Sequence, residues 1–423
     1  MSEHSHGRKH SKAYYKYRKT KHKIKKAFKN NKLLLPLIVL IIACVSLSVG
    51  YAVSHNRRYS KNEDTTAVAS VTSVDTVSRL NVFFPHFSEP QVLSASCVQD
   101  YMSNFAVTPV FEFISKNKPS ERLDVSQPVN IKYDIVNPSS DLTVNAARVI
   151  ISEKKSLNPA QTYNFDAGSS SIDIYNLKIA SQYYYKITVS FTDSSEVSSS
   201  GSFYTAMTPR ILSLDGTVNV RDIGGWKTSD GKTIKQGMIL RGAEIDGLIV
   251  PEYKLTEKGI SQFRDYFNIK LDADLRHTNE VKTSASYAGE DIKHTVYGIK
   301  AYRLYITGNE NDPMKKLFSS LANRNNYPIY MHCTYGIDRT GTACYILEAL
   351  LGMPEEKLLR EYELSTLCFT ENNARAEDAK VTAFIENFNS IEGNNPRKKA
   401  ENYLLSIGVT KDEIESIRNI LIE

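Results

Sequence analysis

Cys333 and Arg339 stand six residues apart in the run His332-Cys333-Thr334-Tyr335-Gly336-Ile337-Asp338-Arg339-Thr340. Those residue types at that spacing describe an anion-binding loop with a nucleophile at its floor. A thiol attacks as thiolate, and the positive field that draws an anion into such a loop also favours thiolate near neutral pH. Arginine can hold two oxygens of a phosphoryl group at once, which lysine does less well. Gly336 lets the backbone bend towards a bound group with no side chain in the way. The amides of Thr334, Tyr335, Gly336 and Ile337 line the cradle, and Thr340 can offer its hydroxyl to the thiolate as it departs. A buried structural cysteine is the competing reading of Cys333, and Gly336 and Arg339 around it argue against that.

A loop of this kind needs a strand before it and a helix after it, so that amides at the helix start and its dipole face the anion. Tyr327 to Met331 reads as a short buried strand, and Gly341 to Leu351 as an apolar helix ended by Gly352 and Pro354. Around them Leu255–Phe267, Met314–Arg324, Glu355–Ser365, Glu377–Asn389 and Lys411–Ile422 read as helices, and Lys270–Leu275 as a strand. Strands alternating with helices, then helices alone, predict an α/β domain over 209–423, a central mostly parallel sheet flanked by helices.

His-Cys-x-x-Gly-x-x-Arg-Thr is the signature of the cysteine-dependent protein-tyrosine-phosphatase superfamily, which this loop resembles. A rhodanese-type sulfurtransferase also begins an anion loop with cysteine, but usually one residue shorter. Asn219-Val220-Arg221-Asp222-Ile223-Gly224-Gly225, Leu240-Arg241-Gly242, Asp274-Leu275-Arg276 with Glu280, and Glu361-Tyr362-Glu363-Leu364-Ser365 resemble landmarks of the bacterial tyrosine phosphatases with broad, dual-specificity substrate range. The resemblance covers about half the chain, residues 208–423. It implies that Asp338 is the general acid. An N-cap role for Asp338, with Asp291 or Asp312 as the acid on a mobile loop, is the alternative. His332 reads as acting by hydrogen bonding and electrostatics and not as a base, with a merely structural role as the alternative. Asn219, Arg221, Asp222, Asp274 and Arg276 brace the loop or wall the pocket, bracing being favoured. Ile337 stands where that family has a lysine linked to phosphoinositide headgroups, which disfavours lipid substrates. Cys344 reads as core, with a resolving role for oxidised Cys333 as the alternative.

Upstream, residues 107–208 predict an all-β sandwich. Val129–Ile135 and Tyr183–Phe191 alternate apolar and polar residues, with Val144–Ser152, Ser171–Tyr175 and Gly201–Ala206 as further strands. Leu177 followed by Tyr183 resembles the tyrosine corner of fibronectin type III domains. The rings Tyr183-Tyr184-Tyr185 read as core plus one exposed ring, or alternatively as a ligand platform. Residues 54–106 read as a stalk.

The net charge of +6 is unevenly placed: residues 1–32 carry twelve Lys/Arg against Glu3, so the rest of the chain sums to −5. Leu33–Val53 follows with 21 uncharged residues, enough at about 1.5 Å per residue to span roughly 30 Å of hydrocarbon. The basic tail beside an apolar run fits a membrane better than nucleic acid. The positive-inside rule places it in the cytoplasm and the catalytic domain outside. A cleaved signal peptide and a lipoprotein box at Cys44 compete with this anchor, the first less well because the run is long and Val49-Gly50-Tyr51-Ala52 is a poor cleavage site, the second because the apolar run continues past Cys44. Cys44, Cys97, Cys333, Cys344 and Cys368 show no metal or disulfide framework.

The combined expectation is a single-pass membrane phosphatase acting outside the cell on phosphotyrosine-type monoesters of a protein, without metal or cofactor. Small phosphoesters such as inositol phosphates are the alternative substrates, and a phosphate-binding surface module with little turnover is the alternative class.

Overall fold

The structure, a computed structural model, describes residues 70–71, 81–84, 86–103, 123–136, 142–207, 209–300, 308, 310–368 and 379–423. The basic tail and the apolar run 33–53 lie outside the described residues, and no helix among those described is long and apolar enough to cross a membrane.

The first layer is built from antiparallel strands. β1 (Ser70–Val71), β5 (Val144–Ser152), β6 (Gln161–Asn164), β8 (Gln182–Phe191) and β9 (Glu196–Tyr204) form one sheet in the order β1-β9-β8-β5-β6. β2 (Asn81–Phe83) pairs with β4 (Asp134–Val136), and β3 (Val129–Lys132) with β7 (Ser171–Ile174). Alternation explains the packing: Val129 and Ile131 of β3 turn into the same apolar core as Val149 and Ile151 of β5 and Ile187 and Val189 of β8, while Asn130, Lys132 and Lys186 face outward. The Tyr183 ring stacks on Phe203, and its hydroxyl accepts the Lys178 N–H at 2.9 Å, the turn-pinning bond expected of a tyrosine corner.

The second layer contains the Cys333–Arg339 loop. β10 (Arg221–Asp222), β11 (Ile239–Gly242), β12 (Leu271–Asp274), β13 (Lys293–Val296) and β14 (Ile329–His332) form a sheet in the order β10-β11-β14-β12-β13, in which only β10 runs antiparallel. Every residue of β11, β12 and β14 is buried, as a parallel sheet covered on both faces requires. The short helix α1 (Ser96–Ser103) precedes this sheet in sequence. Helices α2 (Glu257–Ser261), α3 (Asn311–Leu321), α4 (Asp338–Leu351), α5 (Glu355–Glu363), α6 (Ala379–Ser390), α7 (Pro396–Ser406) and α8 (Lys411–Leu421) complete the layer. Gly352 closes α4 in a left-handed conformation, φ 92°, and Thr410 with Glu413 forms a capping box at the start of α8.

The stalk reading of 54–106 does not hold for its described part. β2 pairs within the β layer, whereas Val98, Tyr101 and Met102 of α1 are buried in the core of the α/β layer. The Tyr101 hydroxyl donates to Glu363, and the Arg360 guanidinium lies 4.4 Å from the Tyr101 ring centroid. The chain thus visits the β layer, then the α/β layer, then the β layer again, and 106/107 is not a boundary between two packed bodies. The physical reason is that three apolar residues spaced on one face suffice to dock a two-turn helix, a signal too short to stand out from a polar linker.

Candidate active site

β14 ends at His332, the loop runs from Cys333 to Ile337, and α4 begins at Asp338, three residues earlier than its apolar periodicity indicates. Cys333 is buried and forms no disulfide. Gly336 takes φ 67°, and a Cβ there would stand 2.2 Å from the Gly242 carbonyl oxygen, so the loop lies directly against the end of β11. The Thr334 carbonyl accepts the Glu244 N–H at 3.1 Å, a second tie to the same segment.

Arg339, in the first turn of α4, is already oriented. Its Nη1 donates to Glu280 Oε2 at 2.6 Å and its Nη2 to Glu280 Oε1 at 3.1 Å, while Nη2 also reaches Thr334 Oγ1 at 3.1 Å. This two-point pairing holds the guanidinium plane in place. Burial raises the Glu280 carboxyl, but the Arg339 hydrogen bonds and the His277 N–H outweigh it and leave the group below its ordinary value.

Behind Cys333 sits a buried charge cluster. His332 Nε2 lies 3.0 Å from Asp272 Oδ1, and Asp272 Oδ2 accepts the Ser286 hydroxyl at 2.7 Å. Burial disfavours a charged imidazole, but the carboxylates of Asp274 and Asp272 overcome it and raise His332 to about 9. Arg276 pairs with Asp274 at 2.7 Å, and also with Glu244 at 2.5 Å and Asp246 at 2.6 Å.

Asn219 and Arg221 are braces. Asn219 Nδ2 donates to the Tyr335 carbonyl at 3.0 Å, and its own N–H is held by Asp124 at 2.7 Å. Arg221 donates to Asn219 Oδ1 at 2.7 Å. Asp222, expected to join them, does otherwise: it accepts from Arg210, Gly224 N–H and Gly237 N–H, and Arg210 in turn donates to the Asn176 and Leu177 carbonyls of the β layer. It points to the opposite face of β10 from Arg221, as neighbouring strand residues must.

Asp338 is half-buried at the N-terminus of α4 and accepts the Tyr362 hydroxyl at 3.3 Å. Of the alternative acids, Asp291 is exposed and paired to Arg264 at 2.6 Å, and Asp312 is exposed in the first turn of α3. Thr340 is buried with a hydroxyl that makes no hydrogen bond. The Ile337 side chain is buried, so that residue offers the loop only its backbone; Tyr335 stands exposed at the rim, 6.2 Å edge-to-face from Tyr253. Cys344 is core, its thiol pushed by burial up to about 12. Sequence reasoning quoted Arg241, Glu280 and Glu361 only as landmarks, and missed Asp272, Glu244, Asp246 and Asp124 altogether. The side chains of Cys97 and Cys368 lie outside what is described.

A buried cysteine at the end of a central parallel strand, followed by an amide loop and a helix-borne arginine, is the arrangement of the cysteine-dependent phosphatases. Residues 212–423 match the model of the tyrosine phosphatase family, and the chain belongs to that family. It is also similar to the core catalytic domain of the PP-IP phosphatase Siw14 from S. cerevisiae, solved with citrate, at 18% identity over 35% of this chain and 88% of that one, TM-score 0.24. A second structure of the Siw14 catalytic core matches at 16% identity over 39% and 88%, TM-score 0.27. At those scores neither likeness bears on substrate.

Proposed function

We propose that the chain hydrolyses phosphotyrosine-type phosphomonoesters through a cysteinyl-phosphate. The observation that carries this reading is the Arg339 guanidinium held by Glu280 and Thr334 over a loop whose floor is Cys333. In the first step the Cys333 thiolate attacks phosphorus, the ester P–O bond breaks, and Asp338 gives its proton to the leaving oxygen. In the second, water attacks the same phosphorus, Asp338 takes a proton from it, and the S–P bond breaks to release inorganic phosphate and thiolate. Arg339 and the loop amides hold the equatorial oxygens in both steps. The uncommitted Thr340 hydroxyl is available to the sulfur as it leaves. His332, kept cationic by Asp274 and Asp272, ties the strand end beneath Cys333 to Asp272. Asp338 is preferred as acid because it sits on the loop's own helix, whereas Asp291 is bound to Arg264.

The apolar run 33–53 would anchor the protein by a single span with its catalytic layer outside the cytoplasm, a reading that rests on residue pattern alone. The phosphatase reading is tested by phosphate release from a phosphotyrosine peptide, with inositol phosphates in parallel, by the full chain with and without EDTA and by Cys333→Ser. Turnover that survives EDTA and disappears in the variant is expected. Preference for inositol phosphates would move the substrate class, and peptide binding without phosphate release would make the domain a binding module.

A further inference from the structure

The phosphate loop is held from beneath by an ion cluster whose hub is Glu361 on α5. Glu361 Oε1 accepts from Arg221 Nε at 2.5 Å and Oε2 from Arg241 Nη1 at 2.7 Å, and the Glu361 carbonyl accepts Arg221 Nη2 at 2.9 Å. Both guanidiniums then reach the loop. Arg241 Nη2 donates to the Gly336 carbonyl at 2.8 Å; Arg221 holds Asn219, whose amide donates to the Tyr335 carbonyl. Two consecutive loop carbonyls are thereby turned towards the cluster. Because a peptide is planar and trans, fixing a C=O fixes the N–H of the next residue on the opposite side. The amides of Gly336 and Ile337 are thus turned away from the cluster.

A cluster of this kind is a poor device for stability alone. The Arg221, Arg241 and Glu361 side chains are no more than 4% exposed, and desolvating such groups consumes most of what their pairing returns, so apolar residues would serve a core as well. Glu348, fully buried on α4 with neither oxygen hydrogen-bonded, cannot carry a second negative charge there. Two guanidiniums therefore face one carboxylate, and one net positive charge remains under the loop.

We propose that Glu361 is the positioning residue of the phosphate loop: by bridging Arg221 and Arg241 it aims the loop amides at the phosphoryl oxygens. This deepens the phosphatase reading and rests on it for the identity of the anion. The test is tungstate binding by calorimetry to the full chain, beside KM and kcat on p-nitrophenyl phosphate, for wild type and Glu361→Gln. Loss of one charged hydrogen-bonding hub should weaken tungstate and raise KM by a common factor of about 10 to 100 in folded protein. Asn219→Gly is the second variant; Asn219 sits at φ 59°, which glycine adopts without strain, so the Tyr335 tie and its link to Arg221 are cut while the backbone is kept. It should weaken tungstate about fivefold, as loss of the one hydrogen bond that this route gives the loop would. Wild-type tungstate affinity in folded Glu361→Gln overturns the proposal, and so does wild-type affinity in Asn219→Gly if the first variant does not fold. Tungstate binding needs no turnover, so a wild type that binds it without hydrolysing ester would sink the phosphatase reading and leave this one standing.

Discussion

Asp272→Asn should change how the stability of the α/β layer depends on pH, and the direction follows from His332. The imidazole of His332 is raised from 6.5 to about 9 in the fold, burial working against the shift and Asp274 and Asp272 producing it. A base raised in this way binds its proton more tightly folded than unfolded. Its stabilisation is therefore fully present below pH 6.5 and is lost as pH rises through about 9. At 1.36 kcal/mol for each pH unit between the two values, the whole effect is on the order of 3 kcal/mol. Both carboxylates contribute, but only Asp272 makes the 3.0 Å contact; a charge-assisted bond of that kind accounts for roughly 1.5–2 kcal/mol of it. The assay is urea unfolding at intervals from pH 6 to pH 10, followed by fluorescence of Trp226, the single tryptophan, which is buried in this layer. Wild type minus variant should be largest at the acid end, pH 6 to 6.5, and shrink by most of its value towards pH 9.5. His294, the neighbouring imidazole near Asp274, is also raised in part by Asp272, so its titration adds to the same decline in the difference. Parallel curves across this range would refute the assignment of His332 as a buried imidazolium.

Two further substitutions probe the same region. Gly336→Ala places a Cβ 2.2 Å from a backbone oxygen at φ 67°, and because it meets backbone and not the flexible end of a side chain, the loop must move; kcat/KM should fall about 100-fold or more with cooperative unfolding retained, and a variant within twofold of wild type on p-nitrophenyl phosphate would contradict the close approach. Glu348→Gln removes a carboxyl that burial first, and Glu361 second, raises well above its ordinary 4.5. A raised acid loses stability as pH climbs above 4.5, because the unfolded chain then releases a proton that the fold retains, so the variant should gain on wild type steadily from pH 4.5 upward in denaturant titrations, and a constant difference would mean Glu348 is ionised in the fold.

The loop was legible in sequence because its chemistry is local. Cys333, Gly336, Asp338 and Arg339 fall within one strand-to-helix turn, and a fixed spacing is all that such a site needs. Alternation likewise exposed β3 and β8, and Gly352 the end of α4. What escaped were partners joined only by folding. Glu280 lies 59 positions from Arg339, and Glu361 lies 140 from Arg221 and 120 from Arg241. No periodicity connects one buried charge to another across such a distance. A carboxylate in a polar stretch reads as solvated until a guanidinium is seen beside it. The first residues of α4 were missed for a related reason: its opening turn is polar because it faces the anion site, so the apolar pattern begins late.

The β layer shows how far this matters for mechanism. Read from sequence it is a sandwich of its own that ends at residue 208 and carries no catalytic residue. In the structure Asp222 holds Arg210, and Arg210 fastens the Asn176 and Leu177 carbonyls of the β layer. The residue before Asp222 is Arg221, which works the opposite face of β10 through Asn219 onto the phosphate loop. One two-residue strand thus faces the β layer with one side chain and the active site with the next. Asp124, between α1 and β3, holds the Asn219 N–H as well. Cutting the chain before 209 would remove Asp124 and strand Arg210 without its carbonyl partners, two supports of the brace that aims the loop. The catalytic layer therefore depends for its geometry on segments that carry no chemistry of their own.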